Sequence, residues 1–154
     1  MNDDATPSTT TVLDGSECWA LLETADVGRL AVSIAHQPEI FPVNYAVDHG
    51  SLVIRTAEGT KLAAVTVNRS VAFEVDAYSR EAGEAWSVVV KGIAHEVTGM
   101  DELLDAMGLD LFPWHSAPAP RFLRIVPDQV SGRRFRVEPG VAGAAPQSPP
   151  ASVD

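Results

Sequence analysis

The stretch Arg55-Thr56-Ala57-Glu58-Gly59-Thr60-Lys61 sets two cations and two hydroxyls around a glycine turn, between an apolar β-branched run and a helical pattern. Those residue types at that spacing suit an anion. Arg55 offers a planar fork, Lys61 a point charge, Thr56 and Thr60 hydroxyls, and a helix start supplies free amides at the favourable end of its dipole. The same residues also read as an ordinary turn, with Thr60 an N-cap and Arg55 and Lys61 solvated or paired with Glu58. The residues alone leave these two readings evenly balanced.

Two other places carry weaker signals. In Glu39-Ile40-Phe41-Pro42-Val43-Asn44-Tyr45-Ala46-Val47, a proline without an amide donor opens a strand edge beside polar or amphipathic groups. A flat heteroaromatic ring can lie on such an edge, although plain alternation of Phe41, Val43, Tyr45 and Val47 explains the run more simply. Trp86 and Ser87 begin a long apolar strand, where Trp86 caps a core or stacks on a ligand, core packing being the commoner use. His36, His49, His95 and His115 stand singly, without the spacing of a zinc site, and no nucleophile elbow or phosphate-loop motif occurs. His115 sits in the Pro-rich loop 112–120, which is of a kind that folds over pockets. The single cysteine, Cys18, lies in a helical pattern and reads as a buried small hydrophobe.

Elements to position these residues are legible. Asp14 and Glu17 have capping-box spacing ahead of Cys18, Leu21, Leu22 and Ala25, which recur at helical period. Runs 28–34, 39–47, 51–56, 70–78, 85–97 and 121–137 alternate or are β-branched, and turn residues separate them. Pro42 predicts a bulge or open edge, and Pro127 a break in the last strand. A short helix is expected from Thr60, and another over 99–108 with Leu103, Leu104 and Met107 inward. Six short strands left open would expose two edges, so the expected fold is mainly β, a six-stranded antiparallel barrel with short peripheral helices.

Of 154 residues, 11 are Lys or Arg and 21 Asp or Glu, a net charge of -10 on a chain that is 45% hydrophobic. That burial capacity supports one core, and the acidic surface disfavours nucleic acid and anionic membranes. Acids occupy the N-terminus where a secretory leader carries basic and apolar residues, which predicts a cytoplasmic, soluble protein. Residues 1–12 and 138–154, the latter with four of the eleven prolines, read as flexible tails around a domain at 13–137.

In this order, GRLAVSI, EIFPVNYAVD, LVIRTAEGTKLAA, VAFEVD, WSVVVKGIAHEV and RIVPDQVSGRRF resemble the pyridoxamine 5'-phosphate oxidase-like flavin-binding split-barrel family, especially its small actinobacterial and nitroimidazole-resistance-type members. The resemblance implies a homodimer of split barrels with FMN or a deazaflavin in clefts between the subunits. It implies that Arg55, Thr56, Thr60 and Lys61 grip the cofactor phosphate. The ring would lie along Pro42, Val43, Asn44 and Tyr45, and Trp86 and Ser87 would contribute from the other subunit. Ser87 stands where the vitamin B6 oxidases carry Gln, and SGRRFRV replaces their Arg-X-His element, which argues against that substrate. No general acid or base stands out, so no catalytic side chain is expected; this suits hydride transfer, in which the flavin carries the chemistry. The expected function is an FMN-dependent oxidoreductase that takes hydride from a nicotinamide and reduces a small organic substrate. One alternative is F420, whose anionic tail would draw on Arg121, Arg124, Arg133, Arg134 and Arg136. Another is a non-catalytic flavin- or haem-binding protein.

Overall fold

The computed structural model describes residues 10–56, 59–111 and 120–136. Along the chain run β1 (Thr10–Leu13), α1 (Gly15–Leu22), β2 (Val27–Ile34), β3 (Gln37–Asp48), β4 (Ser51–Thr56), α2 (Thr60–Val67), β5 (Ser70–Ser79), β6 (Glu84–Glu96), α3 (Met100–Met107) and β7 (Arg121–Arg136). The seven strands pair antiparallel in the order β1-β7-β4-β3-β2-β5-β6, and β6 also pairs with β7. That last pairing closes six strands into a barrel, which removes the two edges an open sheet would expose.

The six expected strands form the barrel, and a seventh strand, β1, adds to the sheet beside β7. Residues 10–12, placed in the leading tail by composition, belong to β1, where Thr10 to Leu13 pair with Phe135 to Gly132 of β7. Two threonines and a valine are good strand formers once a partner is present. The C-terminal tail 138–154 lies outside the described residues.

The 16-residue β7 serves β4 with its first residues and β6 along most of its length. In place of a break at Pro127 there is a bulge: Gly92 pairs with Pro127 and Lys91 with Gln129, leaving Asp128 as the extra residue. Gly92 fits there because a Cβ would come within 2.2 Å of the Val126 carbonyl oxygen. Near Pro42, β3 pairs with β2 alone, since its pairing to β4 covers only Tyr45 to Asp48. The expected open edge is therefore present.

Alternation along each strand sends one set of side chains into the barrel. Leu30, Ile54, Phe73, Val88, Val90, Leu123 and Ile125 are fully enclosed there. Cys18 and Leu22 of α1 join them, as do Leu62, Ala64 and Val65 of α2. The capping box holds α1: the Glu17 amide donates to Asp14 Oδ1 at 2.8 Å, and the Asp14 amide donates to Glu17 Oε2 at 2.9 Å. The Tyr45 hydroxyl donates to the Leu22 carbonyl at the end of α1, and its ring meets Phe73 edge-on at 4.9 Å.

A smaller cluster, Val53, Val97, Ala106, Leu111 and Phe122, sits on the outer face under α3. The expected rotation of α3 is corrected here. Ala106 is buried and Leu103 packs beside it, but Leu104 and Met107 are 59% and 61% exposed. The rotation follows from a charge: Arg124, with 14% of its side chain exposed, donates from Nε to Glu102 Oε1 at 2.9 Å. It also donates to Asp48 Oδ2 at 3.0 Å and to Ser51 Oγ. Glu102, Leu103 and Ala106 share the face that this pairing turns to the sheet.

Candidate functional site

β4 has two faces. Leu52 and Ile54 enter the barrel with Thr56, which is buried, while Val53 and Arg55 face outward toward α3. β3 alternates likewise. Val43 and Tyr45 are core residues, leaving Pro42 and Asn44 on the outer side. Tyr45 pairs with Ile54, and continuing that register by one residue sets Asn44 opposite Arg55 on the outer face.

Both of these side chains hold an orphaned polar atom. Asn44 is 7% exposed, and neither its Oδ1 nor Arg55 Nε has a hydrogen-bond partner among the described residues. Each such group costs about 1–3 kcal/mol in an enclosed site, a cost that a ligand removes. Arg55 also lines a cleft of about 320 Å³ up to its open mouth, walled by Met107, Leu109, Leu111, Pro120 and Phe122.

The glycine turn is built differently from the simple N-cap reading. Gly59, not Thr60, is the N-cap of α2, at φ 157° and ψ -159°, a conformation that a Cβ disfavours. No side chain caps the helix, and the first backbone bond runs from the Ala63 amide to the Gly59 carbonyl. The amides of Thr60 and Lys61 therefore stand at a helix start without a side-chain cap. Thr60 is exposed, and the Lys61 amine lies 5.6 Å from the centre of the Phe41 ring, a cation–π contact. Glu58 lies outside the described residues.

Arg55, on β4, and Lys61, at the start of α2, have different neighbours. Arg55 opens on the outer face, whereas Lys61 overlies a ring packed against the barrel core. Thr56 is inside. Trp86 packs against the core, and Ser87 takes the opposite face, paired with Asp76 and Arg133. The loop 112–119, with His115, lies outside the described residues. Of the arginines near the C-terminus, Arg121 is paired with Glu96 at 2.5 Å and Arg124 with Asp48 and Glu102, so these two are already engaged. On the outer face of β2, Arg29 meets Glu74 and Asp76 at 3.0 and 3.2 Å. Burial and the neighbouring Asp76 push the Glu74 carboxyl up, and Arg29 opposes them.

Sequence reading missed the cleft and the enclosure of Asn44 and Arg55 on the outer faces of β3 and β4. The shared parity of the two residues across the β3–β4 turn was the available signal.

The model of the pyridoxamine 5'-phosphate oxidase family matches residues 14–134, nearly the whole barrel. The chain belongs to this family. Pyridoxamine 5'-phosphate oxidase-family architecture recurs in a Corynebacterium glutamicum structure that is 38% identical, with TM-score 0.77 over 84% of this chain and 96% of that one. The FAD binding protein from Mycobacterium smegmatis is 37% identical, with TM-score 0.69, covering 82% of this chain and 98% of its own. The Mycobacterium tuberculosis protein Rv0080 is 34% identical over 129 residues, 80% of this chain and 84% of the relative. Among the described residues of this oxidase-family chain, no helix is long and apolar enough to cross a membrane.

Proposed function

We propose that this protein is a cytoplasmic, homodimeric flavin-binding oxidoreductase that holds FMN and moves hydride between a nicotinamide donor and a small organic acceptor. The observation that carries the reading is the Gly59–Lys61 turn, a helix start without a side-chain cap, with a lysine beside it at the end of a barrel strand. Similarity to an FAD binding protein at 37% identity supports a flavin as the occupant.

The residues fit that group. Lys61, Thr60 and the first amides of α2 receive the phosphate, where charge and dipole act together. Pro42 and Asn44 present the outer face of β3 to the ring, and Asn44 Oδ1, an acceptor without a partner, suits the N–H of a pyrimidine-type edge. Val43 and Tyr45 hold the strand from the barrel side. Ser87 faces outward, as a residue contributed to a second copy must. When bound, the flavin supplies reversible hydride acceptance; the protein binds, orients and excludes water.

In the deazaflavin reading, Arg121 and Arg124 are engaged in ion pairs, so the anionic tail would draw on Arg133, Arg134 and Arg136. Titration of the full chain with FMN, FAD and F420, followed by desalting and an absorbance spectrum, separates these cofactors. Retained FMN absorbance is the expected result, and a protein that keeps no flavin overturns the proposal. Bound flavin that neither NADH nor NADPH reduces under anaerobic conditions would leave a binding protein without oxidoreductase activity.

A further inference from the structure

We infer that the cleft between α3 and the β4–β7 edge takes a small organic anion with an apolar body, of the carboxylate or sulfonate class, whose charge sits on Arg55. Under the flavin reading this is the second-substrate site, next to the outer face of β3; the binding itself does not depend on that reading. Among the described residues, the side chains that line the cleft beside Arg55 are apolar, which gives a ligand body an apolar wall to lie against. Arg55 brings a positive charge to the cleft, and its enclosed Nε–H has no partner among the described residues. An acceptor carrying a negative charge answers both conditions, and a planar two-oxygen head matches the guanidinium fork.

Asp48 and Glu102, on the same face, are both committed to Arg124. Arg124 thereby ties α3, the wall of the cleft, to the sheet. Met107 at the mouth is 61% exposed and unbranched, a side chain that adjusts to the shape of what enters.

The test uses the full chain and two fluorescent probes with the same body, 8-anilinonaphthalene-1-sulfonate and uncharged N-phenyl-1-naphthylamine. The sulfonate is expected to bind one per chain, at least tenfold more tightly than the neutral probe. Arg55→Gln should abolish that preference. Met107→Asp, at an exposed position that leaves the fold intact, should weaken the sulfonate at least tenfold with an unchanged melting curve. Equal affinity for the two probes, indifference to both substitutions, or one-for-one displacement of the sulfonate by FMN overturns the inference. FMN binding is titrated separately. FMN bound without the sulfonate preference removes the cleft assignment alone, whereas the preference without FMN binding removes the flavin reading alone.

Discussion

Lys61 and Tyr45 show how differently two polar side chains of one barrel are used. Lys61 has a ring contact and no ion pair among the described residues, so its charge is available to a ligand. Lys61→Ala should weaken FMN binding by about 1.5–3 kcal/mol, the worth of a charge-assisted hydrogen bond, read from a flavin fluorescence titration. Tyr45 is 3% exposed and spends its hydroxyl on the Leu22 carbonyl. Tyr45→Phe should cost about 1–3 kcal/mol in urea unfolding with an unchanged slope, because the substitution leaves a buried acceptor bare. Burial, aided by the Asp26 charge, raises the Tyr45 phenol well above its usual range. The folded state thus keeps a proton that the unfolded chain releases near pH 10. The stability linked to that proton is fully present below about pH 10 and is lost above it, so the alkaline decline in unfolding free energy should be shallower in Tyr45→Phe. The sequence displayed both residues, but which of them faced the core depended on strand parity.

At the scale of elements, periodicity located nearly every strand and helix because each buries one face, and burial imposes period 2 or 3.6 on the residues. The exceptions have local causes. β1 was hidden by its Thr-rich composition, since a four-residue strand has no signal until β7 lies beside it. The rotation of α3 was misread because Leu104 and Met107 are as apolar as Leu103, and the Glu102–Arg124 pair across 22 residues decides between them. The bulge between β6 and β7 is a tighter constraint. Gly92→Ala would bring a Cβ within 2.2 Å of backbone oxygen, which no side-chain adjustment relieves. The substitution should cost about 3 kcal/mol or more, seen as a lower urea midpoint, with loss of the long β6–β7 pairing.

For the whole molecule, the proposed pairing of two chains predicts a sedimentation-equilibrium mass twice the 16.4 kDa of one chain, with two flavins per particle. A single-chain mass at micromolar concentration in the presence of FMN would remove the dimer. The net charge of -10 argues against polyanionic partners, yet it is compatible with one small phosphate at Lys61, because local charge and amide dipoles act at hydrogen-bond distance while the diffuse field is screened. The sequence by itself determined the six barrel strands and the glycine turn as an anion candidate, since these rest on hydrophobic period and on residue types at fixed spacing. Closure of the sheet decided the rest. It set Arg55 in a cleft beside α3, moved the helix cap from Thr60 to Gly59, and left a polar atom of both Asn44 and Arg55 buried without a partner among the described residues. Those outcomes depend on which side of a strand faces the interior and on charges that meet only after β7 joins β4 and β6, contacts between residues far apart in the chain that no local pattern encodes.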